Sequence, residues 1–101
     1  MATFISTIKF TEQGLAAIHE SPKRAAAFKA AAKKIGVKVT GIYWTLGNYD
    51  GVIVMDAPND ETATAAMLGL SHKGNVHTHT VRAFEASEFE KVVTHLAKVK
   101  G

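Results

Sequence analysis

Val52-Ile53-Val54-Met55 places four large apolar side chains in succession, inside a segment that otherwise reads as a β-strand. Successive strand residues point to opposite faces, so this strand is apolar on both sides. A sheet wetted on one side alternates apolar with polar instead. The chain must therefore find cover for two faces of one sheet, and few folds of this size supply it.

The segments around that strand alternate in period. Thr3 to Phe10 predicts a first strand, with Phe4, Ile8 and Phe10 on one face and Ile5, Thr7 and Lys9 on the other. Thr11 to Glu20 predicts a short helical turn. Ser21-Pro22 opens a longer helix, because Ser caps well and Pro suits the first helical position. Gly36 stops it. Ala25, Phe28, Ala32 and Ile35 share one stripe, and Lys23, Lys29, Lys33 and Lys34 face away as a solvated side. Arg24 falls about 40° from Phe28, toward the apolar side. It either snorkels past the edge or makes an inward anion contact.

Val37 to Leu46 and Tyr49 to Ala57 predict two strands joined by Gly47-Asn48, a hairpin pair because both residues accept positive φ. That turn pairs Leu46 with Tyr49, Thr45 with Asp50 and Trp44 with Gly51. It puts Ile42, Trp44, Leu46, Tyr49, Ile53 and Met55 on one face. Tyr43, Thr45, Asp50, Val52, Val54 and Asp56 take the other, joined by Val39. Pro58-Asn59-Asp60-Glu61 begins a second helix, with acids suited to its dipole. Ala63, Ala66, Met67 and Leu70 form its buried stripe, and Leu68 points elsewhere. After Gly74-Asn75, Val76 to Phe84 predicts a fourth strand. A C-terminal helix follows with a Ser87/Glu90 capping box and an apolar face of Phe89, Val92, Val93 and Leu96.

The order β-α-β-β-α-β plus a terminal helix predicts an α+β, ferredoxin-like domain over residues 1–101, a four-stranded antiparallel sheet with helices on one face. No helix remains for the second face, so a second copy of the sheet is expected there, giving a dimer. The length of 101 residues fits one domain. Hydrophobic residues make up 47 %, but 16 of them are alanine, so the core is thin and pairing would add burial.

Composition excludes several function classes. With no cysteine, disulfide scaffolds, thiolate zinc sites and thiol nucleophiles are ruled out, and a cytoplasmic location is expected. The first residues lack the pattern of a signal peptide, and no apolar run is long enough for a membrane span. A net charge of +3 with only two arginines, both isolated, argues against nucleic-acid binding. No phosphate loop, dinucleotide fingerprint or Gly-x-Ser-x-Gly elbow is present.

Trp44-Thr45-Leu46-Gly47-Asn48-Tyr49-Asp50, an apolar strand and Asp56-Ala57-Pro58 together resemble the GYD domain family. Phe10-Thr11-Glu12-Gln13-Gly14, Ser21-Pro22-Lys23-Arg24-Ala25, Gly74-Asn75-Val76 and Arg82-Ala83-Phe84 extend the resemblance over residues 3 to 96. It implies a dimeric α+β barrel and puts the name-giving positions on Gly47, Tyr49 and Asp50. It implies little about activity. Related barrels include isomerases, monooxygenases and haem-degrading enzymes, and fold alone does not transfer chemistry.

Three constellations could carry function. Tyr43, Trp44, Tyr49 and Asp50 around the hairpin would line a pocket for a small organic ligand, with Asp50 as base or hydrogen-bond acceptor. The structural alternative has Asp50 bonding Thr45 or a turn amide, and Trp44 lying across Gly51. His77-x-His79 puts two imidazoles on one strand face, where they could share a metal or where His79 could act as a base. A third ligand would have to come from Asp50, Asp56, His72 or Glu85. Either His could also hold a haem, though no feature demands a cofactor. Arg82, on a mostly apolar strand face, would pair with Asp50 or Asp56 or anchor a ligand carboxylate. The expected function is a small homo-oligomeric protein binding an organic molecule. A metal site on His77 and His79, or a purely structural assembly module, are the alternatives.

Overall fold

The computed structural model describes residues 1–100 and contains four strands, β1 (Ala2–Phe10), β2 (Lys38–Trp44), β3 (Gly51–Ala57) and β4 (Val76–Ala83). They form one antiparallel sheet in the order β2-β3-β1-β4, so the two-faced apolar strand β3 lies inside the sheet. The helices are α1 (Glu12–Ala16), α2 (Ser21–Lys34), α3 (Asp60–His72) and α4 (Ala86–Lys100), with a 3-10 turn at Ile18–Glu20. This is the expected ferredoxin-like arrangement. No helix among the described residues is long and apolar enough to cross a membrane.

The core lies between one sheet face and the helices α2 and α3. Phe4, Ile8, Ile53 and Met55 meet Phe28 and Ala32 of α2 and Ala63, Ala66 and Met67 of α3. Ser6 is fully buried among them, and its Oγ accepts a 3.0 Å hydrogen bond from Thr80 Oγ1, which satisfies an otherwise costly polar group. On the opposite face Ile5 stands across from Val54, and Thr7 from Val52. No helix among the described residues covers this side. Val52 and Val54 are half-buried, and Tyr43 and Val81 are exposed.

One face assignment differs from the sequence reading. Val39 lies on the helix face, opposite Met55, and not beside Val52 and Val54. The pairing of β2 with β3 shifts between Val39 and Gly41, so Thr40 is an extra residue that inverts the alternation. Without that bulge Val39 and Ile42, three residues apart, could not both be inside. The hairpin pairs Trp44 with Gly51 as expected, yet its tip is wider than a two-residue turn. Thr45 N–H donates to Asp50 O at 3.0 Å, and the strands stop at Trp44 and Gly51 instead of reaching Leu46 and Tyr49.

Capping explains the helix boundaries. Asn59 caps α3, its side chain accepting the Thr62 N–H at 2.8 Å, with Asp60 and Glu61 in the first turn. At α4 the cap lies two residues earlier than expected: the Glu88 carboxylate accepts the Glu85 N–H at 3.1 Å, so Glu85 and Glu88 do what Ser87 and Glu90 were expected to do. Beyond that cap α4 leaves the body. None of its residues is buried, and Phe89, Val92, Val93 and Leu96 form an apolar stripe with nothing against it. The molecule is accordingly elongated, 55 Å in its longest extent.

The short helix α1 is tied to the α3–β4 connection. Thr11 Oγ1 donates to Gly74 O at 2.6 Å, and Gln13 Nε2 reaches Lys73 O and Asn75 Oδ1, each at 2.9 Å. Gly14 is buried at that junction, where an added Cβ would collide with the Asn75 carbonyl. Gly14→Ala is therefore expected to destabilise by about 1–3 kcal/mol, the range of overpacking at a site that cannot yield. Gly69→Ala, whose Cβ would meet open space within α3, should be neutral or stabilise by up to about 1 kcal/mol. Paired denaturant titrations of the two variants check the contrast.

Candidate functional site

Smallness on the facing sides of two helices opens a cleft. Ala27 and Ala31 of α2 look toward Ala65 and Gly69 of α3, and no side chain among these four is large enough to close the gap above the sheet. The resulting cavity of about 390 Å³ has Ile42 and Ile53 of the sheet as floor and Phe28 and Leu70 as apolar walls. That volume lies at the lower end of the range for small-molecule sites.

The polar groups of this cleft come from segments that meet at one end of the sheet. Ser21 and Arg24 belong to the first turn of α2, Asp50 precedes β3, Trp44 ends β2, and Lys73 and Asn75 lie between α3 and β4. The register puts these together, because Phe10 at the end of β1 pairs with Val76 at the start of β4, and Ile8 with Gly51. Trp44 Nε1 donates to Ser21 Oγ at 2.9 Å, which fixes the indole against the start of α2. It does not lie across Gly51, whose missing side chain instead makes room for the Tyr43 carbonyl and Ile8. Asp50 spans two neighbours. Its carbonyl takes the Thr45 N–H, its N–H donates to Ile8 O at 2.8 Å, and its Oδ2 accepts the Phe10 N–H at 2.8 Å. The carboxylate thus reaches across to β1 and not back into the hairpin turn, because β3 has β1 as its second neighbour.

Arg24, toward the apolar side of its helix, belongs to the same end. Its guanidinium donates to Ala17 O at 3.0 Å and to Gly14 O at 3.4 Å, which turns it back toward α1 at the cleft's end. It forms no ion pair among the described residues. The sequence held one sign of this, an arginine displaced toward the apolar stripe of its helix, but the two carbonyls that hold it come from another element.

The remaining sequence candidates lie elsewhere. Tyr43 reaches the cleft's edge, with its ring folded back over Gly41 on the uncovered face. Tyr49 is in the hairpin tip, half exposed, and does not line the cleft. His77 and His79 pair with Lys9 and Thr7 of β1 on the uncovered face, away from Trp44, and both are exposed. Among the described residues no cluster of three His, Cys, Asp or Glu side chains is placed to hold a metal. Asp56 accepts from Thr3 Oγ1 at 2.8 Å.

Arg82 stands at the opposite end of the sheet, on the helix side across from Phe4. Its expected partner was Asp50 or Asp56, but its Nη2 lies 2.7 Å from Glu88 Oε2. Asp56 points to the other face and Asp50 is at the far end, whereas α4 starts close by. Arg82 also donates to Thr3 O and Ala83 O and stacks on Phe84, 4.8 Å from the ring centre. A second, smaller hollow of about 320 Å³ runs beside it, between α3 and β4.

The Arg82 hydrogen bond, aided by the Glu85 N–H, holds the Glu88 carboxyl below its usual range. A carboxyl lowered in the folded state stabilises above its unfolded pKa, and that contribution is lost as pH falls through the lowered value. Glu88 should therefore titrate below an ordinary glutamate in an NMR titration, with amide protection at the start of α4, taken relative to an unstructured chain at the same pH, falling on the acid side. Glu88→Gln should make protection at that helix start, relative to an unstructured chain, independent of pH over the same range.

Comparison with known proteins comes to the same fold. The model of the GYD domain matches residues 4–93. A Thermus thermophilus protein named glutamine synthetase and cystathionine beta-lyase binding protein is 33 % identical over 89 residues, covering 87 % of this chain and 94 % of that protein. The crystal structure of TTHA0845, also from Thermus thermophilus, superposes with a TM-score of 0.56 at 23 % identity, over 85 % of this chain and 96 % of that one, a likeness of fold.

Proposed function

The chain belongs to the GYD domain family, and from that membership and the cleft between α2 and α3 we propose that it is a small binding protein for an organic molecule. The observation that carries this is the cleft itself, apolar along its length with a few polar groups gathered at one end. That distribution suits a ligand whose body is desolvated and whose one polar end is oriented. Trp44 supplies aromatic contact there, and Asp50 holds the end of β1 by accepting the Phe10 N–H at the same end of the cleft. Any proton transfer in such a complex would use Asp50.

Native mass spectrometry of untreated protein checks the proposal, with a bound small molecule as the expected result. Gly69→Leu, whose Cβ would meet nothing within 4 Å at the cleft's lining, should abolish that adduct and leave the melting temperature within a few degrees. An intact adduct in the Gly69→Leu protein would place the ligand elsewhere.

The name of the Thermus thermophilus relative supports a second reading, in which the chain also docks on other proteins. Two surfaces suit docking, the uncovered sheet face and the apolar stripe of α4, and a second copy of this chain is the partner we propose for the sheet face. Light scattering should give a dimer for the wild type. Val54→Lys, in the centre of that face, should give a folded monomer, and a wild type that stays monomeric at micromolar concentration would remove the self-association.

A further inference from the structure

We infer that the molecule bound in the cleft is a compact apolar carboxylate, its anionic head on Arg24 and its body between α2 and α3. This rests on the cleft being a ligand site and names the chemistry of what it takes. Three observations lead there. Arg24 contributes to the cleft lining, yet among the described residues no acid pairs with it. Only two of its five N–H donors are used, both on backbone carbonyls, which hold the guanidinium still without neutralising it. A pinned, planar cation with free donors matches a carboxylate, and little rotamer freedom is left to lose on binding.

The charge around it points the same way. Arg24 and Lys73 line the cleft against one carboxylate, Asp50, and that carboxylate already accepts the Phe10 N–H. A cationic ligand would meet two like charges. No glycine-rich loop of the kind that cradles a phosphate lines this cleft. The body must be apolar, because Phe28, Ile42, Ile53 and Leu70 offer no side-chain hydrogen bond. Arg82 shows the contrast. With Glu88 2.7 Å away and two carbonyls as further acceptors, it has no comparable vacancy for an anion.

The test uses the full chain, with 2-naphthoate and its uncharged isostere 2-naphthamide as probes. Binding is read by calorimetry and by the fluorescence of the single tryptophan, Trp44. The wild type should bind the carboxylate about tenfold or more tighter than the amide, as expected for a charge-assisted pair. Arg24→Met should erase that preference while amide affinity stays within about threefold, and Arg24→Lys, the fallback should Arg24→Met not fold, should reduce it. Equal affinity for the two probes in the wild type, or a preference that survives Arg24→Met, would overturn the anion assignment and leave the cleft as a ligand site. Binding of both probes unchanged by Gly69→Leu, or no binding of either, would overturn the cleft reading and this inference with it.

Discussion

Two packing helices can bury one side of a four-stranded sheet, and β3 presents apolar side chains on both. Ile53 and Met55 point into the helix layer, while Val52 and Val54 point out of it. The rest of the architecture follows from how that imbalance is met. On the helix side, alanines let α2 and α3 approach the sheet closely, and Ala32, Ala57 and Ala63 are among the most deeply buried residues. Small residues pack well against a sheet but leave room between helices, and the cleft is the consequence. On the other side no helix among the described residues returns to cover Ile5, Val52 and Val54. The same sequence economy therefore produces a cavity on one face and an open apolar surface on the other.

Much of this was legible from periodicity. The number, order and type of elements followed from alternation, glycine and proline positions and cap residues, and the pairing of Trp44 with Gly51 followed from Gly47-Asn48. What failed was parity across β2. Gly41, a glycine inside the strand at the point where the register shifts, was the one sequence mark of the bulge. Thr40 itself is an ordinary strand residue, and the demand that both Val39 and Ile42 face the helix side is the second sign. The α4 cap was misplaced for a related reason. Ser87-x-x-Glu90 and Glu85-x-x-Glu88 overlap, and the choice between them depends on where Arg82 lies, because Glu88 serves both the Glu85 N–H and Arg82.

The candidate site was only partly legible. Tyr43, Trp44 and Asp50 do come together, because they flank one hairpin and share one end of the sheet. Arg24 was singled out only as an alternative to snorkelling, and Ser21, Lys73 and Asn75 were missed, since what unites the four is the meeting of connections at that end and not spacing along the chain. Ser21 illustrates the limit. It reads as a helix cap, yet it is already the first residue of α2, and its hydroxyl accepts from Trp44 twenty-three positions away. Local propensity placed the residue to within one position, and a tertiary contact decided what its oxygen does.

The two arginines show how environment, not residue type, separates structure from site. Both lie on the helix side of the sheet, partly buried, and both donate to backbone carbonyls. Arg82 also has a carboxylate beside it, and the pair joins the end of β4 to the first turn of α4. Removing either partner there disturbs a joint. Arg24 is held by carbonyls alone, which orient a cation but do not cancel its charge. A residual positive charge at the end of an apolar cavity is stable only while water or an anion solvates it. Filling the cleft with a neutral apolar molecule would strip that water and strand the guanidinium, whereas an anionic head would replace it. The penalty on the wrong ligand, as much as the attraction of the right one, is what would make such a cleft selective.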